Sequence, residues 1–186
     1  RVLAYRDRRV GIDHLAIVSP KLKLPAENVL VRVHSECITG EALGSLKCEC
    51  GPQLNSSLEQ IAKEGGVVIY LRGHEGRGIG LANKLRAYQL QEQGLDTLDA
   101  NLQLGFPADA REYTAAAEIL TELGVTSVRL LTNNPDKVAQ LKEQGVNVKS
   151  TSPLIVGVVE QNKRYLETKR DRMGHDLPNN IGSESL

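Results

Sequence analysis

The 186 residues carry 23 basic and 23 acidic side chains, so the formal net charge is zero. That balance speaks against a general nucleic-acid or membrane-surface binder, either of which carries a basic excess. Hydrophobic residues make up 40%, enough for the core of one domain or two closely packed subdomains. No apolar run approaches membrane-spanning length, and no signal peptide is visible. The first residue is Arg1 rather than Met, which fits an excerpt of a longer chain.

Residues 1 to 35 read as β-rich. Val10 to Val18 mixes apolar and polar residues around His14, and Pro20 to Asn28 is a polar turn region. Val29 to Val33 (VLVRV) is a predicted strand that delivers Arg32 and His34 to the loop after it.

That loop, within Arg32 to Gln53 (RVHSECITGEALGSLKCECGPQ), holds all three cysteines, Cys37, Cys48 and Cys50. Clustered cysteines with none elsewhere suggest a metal rather than a disulfide framework. Three thiolates can hold zinc and leave its fourth position to water, the arrangement of a catalytic site. The spacing is not the paired C-x-x-C of a zinc ribbon. Free cysteines are also often small buried hydrophobes, and that reading stays open beside the metal. Cys48 and Cys50 are too close to pair with each other without strain. Reduced cysteines fit the cytoplasm.

Gly51-Pro52 opens a helix, since proline suits the first helical turn. Leu54, Leu58, Ile61 and Ala62 form its apolar face and Gly65-Gly66 ends it. Val67 to Leu71 reads as a buried strand. Arg72 to Leu81 (RGHEGRGIGL) follows, with four glycines and two arginines between strand and helix. Backbone N–H groups there can approach an anion, although the spacing matches neither the dinucleotide nor the Walker A pattern.

Leu81 to Gln93 is a predicted helix with Leu81, Leu85 and Tyr88 on one face, and Asp96 to Pro107 reads as irregular. Asp109 with Glu112 resembles a capping box, so Asp109 to Leu123 is expected to be one helix closed by Gly124. Val128 to Leu131 is a strand, and Asn134-Pro135 caps and starts the next helix. Val146 to Val148 and Leu154 to Val158 are expected strands, Asn162 to Met173 a basic helix, and Asn179 to Leu186 a loose tail. The alternation from Ala62 onward implies an α/β fold: a mixed sheet with flanking helices and a β-rich N-terminal third.

RVHSEC (32–37), CECG (48–51), RGHEGRGIGL (72–81), LGFPADAREY (104–113) and LLTNNPDK (130–137) together resemble GTP cyclohydrolase II. The resemblance covers about Val29 to His175, with the motifs in the family's order. It implies that residues 1–175 form that domain and that 176–186 are a flexible tail. Members of the family it resembles are often fused to an upstream dihydroxybutanone-phosphate synthase domain.

The resemblance also implies the site. One zinc per chain would lie on Cys37, Cys48 and Cys50. Arg32, Val33, His34, Ser35, Glu36, Gln53, Glu75, Gly76, Arg77, Thr97, Thr132 and Lys137 would contact GTP. Tyr88 would assist ring opening, Asp109 would accept a proton, and Arg111 would be the nucleophile. The implied reaction converts GTP to 2,5-diamino-6-ribosylamino-4(3H)-pyrimidinone 5′-phosphate, formate and pyrophosphate, with Mg²⁺ on the phosphates, in a cytoplasmic homodimer. A guanidinium with pKa above ~12 is a poor nucleophile, so a charge clamp is the physical alternative for Arg111. One departure stands out: Glu49 lies where the family usually has Asp. A non-catalytic zinc module, with His34 or His74 as fourth ligand, is the rival reading.

Overall fold

A computed structural model gives the fold and describes residues 1–181. Its centre is a six-stranded sheet of β1 (Val2–Asp7), β2 (Ile12–Val18), β3 (Val29–Ser35), β4 (Gly66–Leu71), β5 (Val128–Leu131) and β6 (Val148–Ser152). The strand order is β1-β2-β4-β3-β5-β6. β1, β2 and β4 pair antiparallel, whereas β4, β3, β5 and β6 run parallel. The expected mixed sheet is therefore present, and three of its strands lie in the first 35 residues.

Alternation along β3 decides what each face does. Val29, Val31 and Val33 point into the larger core, where they meet Val67, Ile69 and Leu71 of β4. Ala116, Ile119 and Leu120 of α5 (Thr114–Glu122) and Leu141 of α6 (Pro135–Glu143) close that side. Leu30 faces the other way, onto Ile61, Leu54 and Leu58 of α2 (Cys50–Glu64). Since strand side chains repeat with period two, Arg32 and His34 share Leu30's side. They emerge beyond the apolar cluster, at the carboxyl end of the parallel strands, where α/β sheets place ligands.

Several predicted elements differ. On α2, Ala62 is exposed and Ser57 is buried instead. On α3 (Leu81–Glu92), Leu81 and Leu85 are exposed and only Ala87 is buried. The stretch expected to be irregular contains α4 (Thr97–Gln103), whose cap Asp96 accepts the N–H groups of Leu98 and Asp99. Asp109 caps no helix; it makes a turn with Arg111, and α5 starts later, at Thr114. Val148, expected to end a strand, begins β6.

Leu154 to Val158 forms no strand, because the Asn133 side chain satisfies both Leu154 N–H and Leu154 C=O, at 2.8 and 2.7 Å. The basic helix is present as α7 (Lys163–Met173). After it, Asp176 donates to Asn133 O, and Arg170 reaches the carbonyls of Pro178 and Asn179. Residues 182–186 of the expected tail lie outside the described residues.

Candidate active site

The three cysteines arrive from two elements. Cys37 follows β3 and starts α1 (Ile38–Glu41), whereas Cys48 and Cys50 lie at the entry to α2. Their sulfurs all lie within 4.8 Å of one another, and Cys37 Sγ and Cys48 Sγ are 3.6 Å apart. Tetrahedral zinc with Zn–S bonds of about 2.3 Å sets sulfurs about 3.8 Å apart. The donor set thus fits zinc, and all three cysteines are free of disulfides. Gly40 makes the approach possible: a Cβ there would lie 2.7 Å from Cys48 Sγ and 3.4 Å from Cys37 Sγ.

The thiols do not share charge evenly. Hydrogen bonds from Cys48 and Cys50, aided by Lys84, hold the Cys37 thiol far below its usual range. The bond to Cys37 and burial push Cys48 up to about 11, and Cys50 rises as well. Sulfurs this close cannot all ionise without a cation among them, so metal binding would release protons.

The sulfur cluster is one wall of a cleft. The opposite wall is basic. Arg32 donates to Leu131 O at 2.9 Å and to Gln53 Oε1 at 2.8 Å. Lys137, buried on α6, donates to Val33 O at 2.7 Å. Burial brings Arg32 down to about 10. Burial, and then the charges of Arg32 and Arg111, push Lys137 well below a normal lysine. Cations crowded this way call for an anion among them.

Arg77 makes the same demand. It is buried, and neither Nη1 nor Nη2 has a hydrogen-bond partner. Its backbone is left-handed, φ 62° and ψ 37°, although it is not glycine. Such strain costs on the order of 1–3 kcal/mol and concentrates at ligand-binding segments.

Arg111 binds Asp109 through both Nε and Nη2. Burial opposes both charges, but their mutual bond outweighs it: Asp109 is held below the usual carboxylate range and Arg111 above the usual guanidinium range. Tyr88 Oη lies 3.4 Å from Thr39 Oγ1, and burial raises its pKa, so the phenol keeps its proton at neutral pH.

Most of the site residues expected from the sequence meet in this one cleft. Arg32, His34, Ser35, Glu36, Gln53, Gly76, Arg77, Tyr88, Thr97, Arg111, Thr132 and Lys137 line it together with the cysteines. Three do not. The Val33 side chain points into the core on the opposite face, Glu75 is buried in internal hydrogen bonds, and Asp109 lies behind Arg111. His34 Nε2 is taken by Glu41 at 2.8 Å and His74 Nδ1 by Ser35 at 3.1 Å. Neither histidine joins the cysteine group among the described residues.

Sequence reasoning missed part of the lining. Lys84 reaches the sulfur cluster from α3, and Tyr165, Lys169, His175 and Leu177 close the cleft from α7 and the segment after it. Lys169 Nζ donates to Glu49 Oε1 at 2.6 Å, so the residue between two cysteines is clamped by the distant α7. The basic run of α7 reads as a solvated face in sequence; only the packing brings Lys169 inward.

A mixed α/β sheet thus presents, at one cleft, three clustered cysteines that could hold a metal ion and a wall of cationic side chains. The model of the family described as GTP cyclohydrolase II matches residues 1–153. The chain belongs to that family. It is 58% identical over 178 residues to riboflavin biosynthesis protein RibBA of Salinispora arenicola, covering 95% of this chain and 42% of that protein. The RibBA of Nocardia farcinica is 57% identical over 185 residues, 99% of this chain and 44% of that one. For the Mycobacterium tuberculosis RibBA the values are 54% over 181 residues, 95% and 43%. The chain thus spans less than half the length of these relatives. No helix among the described residues is long and apolar enough to cross a membrane.

Proposed function

We propose that the chain is a zinc-dependent GTP cyclohydrolase II. It would open the guanine imidazole ring of GTP, release formate and pyrophosphate, and leave 2,5-diamino-6-ribosylamino-4(3H)-pyrimidinone 5′-phosphate, the first step of riboflavin biosynthesis. One observation supports this most: the three-sulfur cluster and Arg77, whose Nη1 and Nη2 make no hydrogen bond, line the same cleft. Hydrolytic chemistry and polyanion binding are therefore within one ligand's reach.

Cys37, Cys48 and Cys50 would hold the zinc. When bound, it supplies a Lewis acid and brings the pKa of water there from ~15.7 to ~7. Tyr88 Oη would donate a proton to the imidazole nitrogen as the ring opens. Glu36, half-buried with Oε2 on Gly73 N–H at 2.8 Å, is placed to read the guanine edge. In our reading Gln53 acts indirectly, because its Oε1 already holds Arg32.

Arg32, Arg77, Lys137 and Arg111 would share the triphosphate, with Thr97 and Thr132 at its rim and Mg²⁺ carried on the phosphates. Arg111, fixed by Asp109 and raised in pKa, would act as a charge clamp on the α-phosphate rather than attack it. Trapping a phosphorylated enzyme mapped to Arg111 would instead establish attack. Family membership also leads us to propose a cytoplasmic homodimer, with residues 1–175 as the catalytic unit. The zero net charge supports a small-molecule rather than nucleic-acid partner.

The deciding experiment incubates zinc-loaded protein with GTP and Mg²⁺ and measures formate, pyrophosphate and the pyrimidine together. Equal amounts of all three are expected. Removing zinc with a chelator should abolish formate. No turnover at full zinc occupancy would overturn the reading.

A further inference from the structure

Glu75 is a nucleotide contact by resemblance, yet both its oxygens are used inside the protein. Oε2 accepts the Ile38 N–H at 2.7 Å, and Oε1 accepts Lys84 Nζ at 2.5 Å. Lys84 in turn donates to Thr39 Oγ1 at 2.8 Å and to Cys37 Sγ at 3.0 Å. Its side chain is only 12% exposed and Glu75's only 8%. Both therefore sit in fixed places beside the sulfur cluster. Thr39 extends the contact to Tyr88.

We propose that Lys84 is a positioning residue of the three-cysteine centre: held by Glu75, its ammonium donates to Cys37 Sγ and balances the charge that three thiolates leave on a bound divalent ion. Three thiolates around a divalent ion carry a net charge of −1. Held by Glu75 and Thr39, Nζ stands 3.0 Å from Cys37 Sγ and lies against whatever charge that sulfur carries. The fixed Nζ also directs the Cys37 sulfur toward its partners, as groups behind metal ligands generally do. Glu75 has its own part in this: without it, Lys84 would have its charge in a half-buried pocket with only thiol and hydroxyl partners. The inference rests on the zinc part of the proposed function and not on its GTP chemistry.

The test is metal binding without nucleotide. Zinc affinity is measured by competition with a chromogenic chelator, and the sulfur-to-cobalt charge-transfer band is recorded after Co²⁺ substitution. Lys84→Met is expected to weaken zinc binding about 10–100-fold and to shift the cobalt band. Lys84→Arg, which keeps the charge, is expected to recover most of the affinity. Glu75→Gln is expected to show the same changes more weakly. A purely structural role would lower the melting temperature of the metal-free protein and leave the cobalt band in place, and that result would overturn the proposal.

Unchanged affinity in a folded Lys84→Met protein would do the same. Should Lys84→Met fail to fold, Glu75→Gln decides, and unchanged affinity there overturns it. A protein that binds zinc tightly but does not act on GTP would remove the proposed function and leave this inference standing.

Discussion

Gly40 shows how much a single missing atom can matter. An alanine Cβ would stand 2.7 Å from Cys48 Sγ, closer than real contacts allow. Gly40→Ala is therefore expected to weaken zinc binding by at least about tenfold while the sheet still forms, as read by chelator competition and circular dichroism. Lys137 carries a prediction of a different kind. Burial and the nearby cations Arg32 and Arg111 hold its pKa well below normal. A triphosphate arriving among these cations reverses the field and raises that pKa. Nucleotide binding should then take up protons, and affinity should rise as the pH falls. Calorimetry in buffers of different ionisation enthalpy measures the uptake; a Lys137→Met protein that takes up as many protons would show that another group is responsible.

Among the elements, α6 is the one that joins fold and cleft. Asn134 accepts the Asp136 N–H at 3.0 Å, Pro135 occupies the first turn, and Lys137 two residues later enters the basic wall. Asn134→Ala is expected to cost about 1 kcal/mol of stability in urea unfolding, because it removes the cap. It should also weaken nucleotide binding, since the cap sets the angle at which Lys137 enters. This helix was legible in the sequence because its cap and proline act locally. The same local logic failed at Asp109, whose carboxylate turned to the Arg111 guanidinium instead of a helix N-terminus. It failed again at Leu154, where an amide from Asn133, 21 residues away, replaced a strand neighbour. On α3 the apolar positions Leu81 and Leu85 suggested a core face, but the helix buries Ala87 and turns Lys84 and Tyr88 to the cleft. Motifs exposed which residues meet; charge partners distant in sequence determined how.

For the whole molecule, the two cleft histidines outside β3 set a pH dependence. His74 and His175 are each pushed down to about 3, by burial first and then by neighbouring cations, Arg111 and Lys137 for His74, Lys169 and Arg77 for His175. The unfolded chain binds these protons near pH 6.5. Stability from this source is therefore complete above about pH 6.5 and is lost as the pH falls from there toward about 3. Metal-free protein should show a urea midpoint that declines over that interval. His175→Gln should flatten the decline, and an unchanged slope would assign the effect to other groups. The same low values keep both imidazoles neutral between pH 6 and 8 in the ligand-free protein.

The bond between Glu49 and Lys169 spans 120 positions of sequence. The family match stops at residue 153, yet the lysine that neutralises the carboxylate between two cysteines comes later, on α7. Shortening the chain at the end of the match would keep every described strand but take away the Lys169 ammonium that meets Glu49 and uncover that carboxylate. The last helix is thus a seal whose loss would be felt first at the sulfurs, and any minimal version of this protein has to carry it.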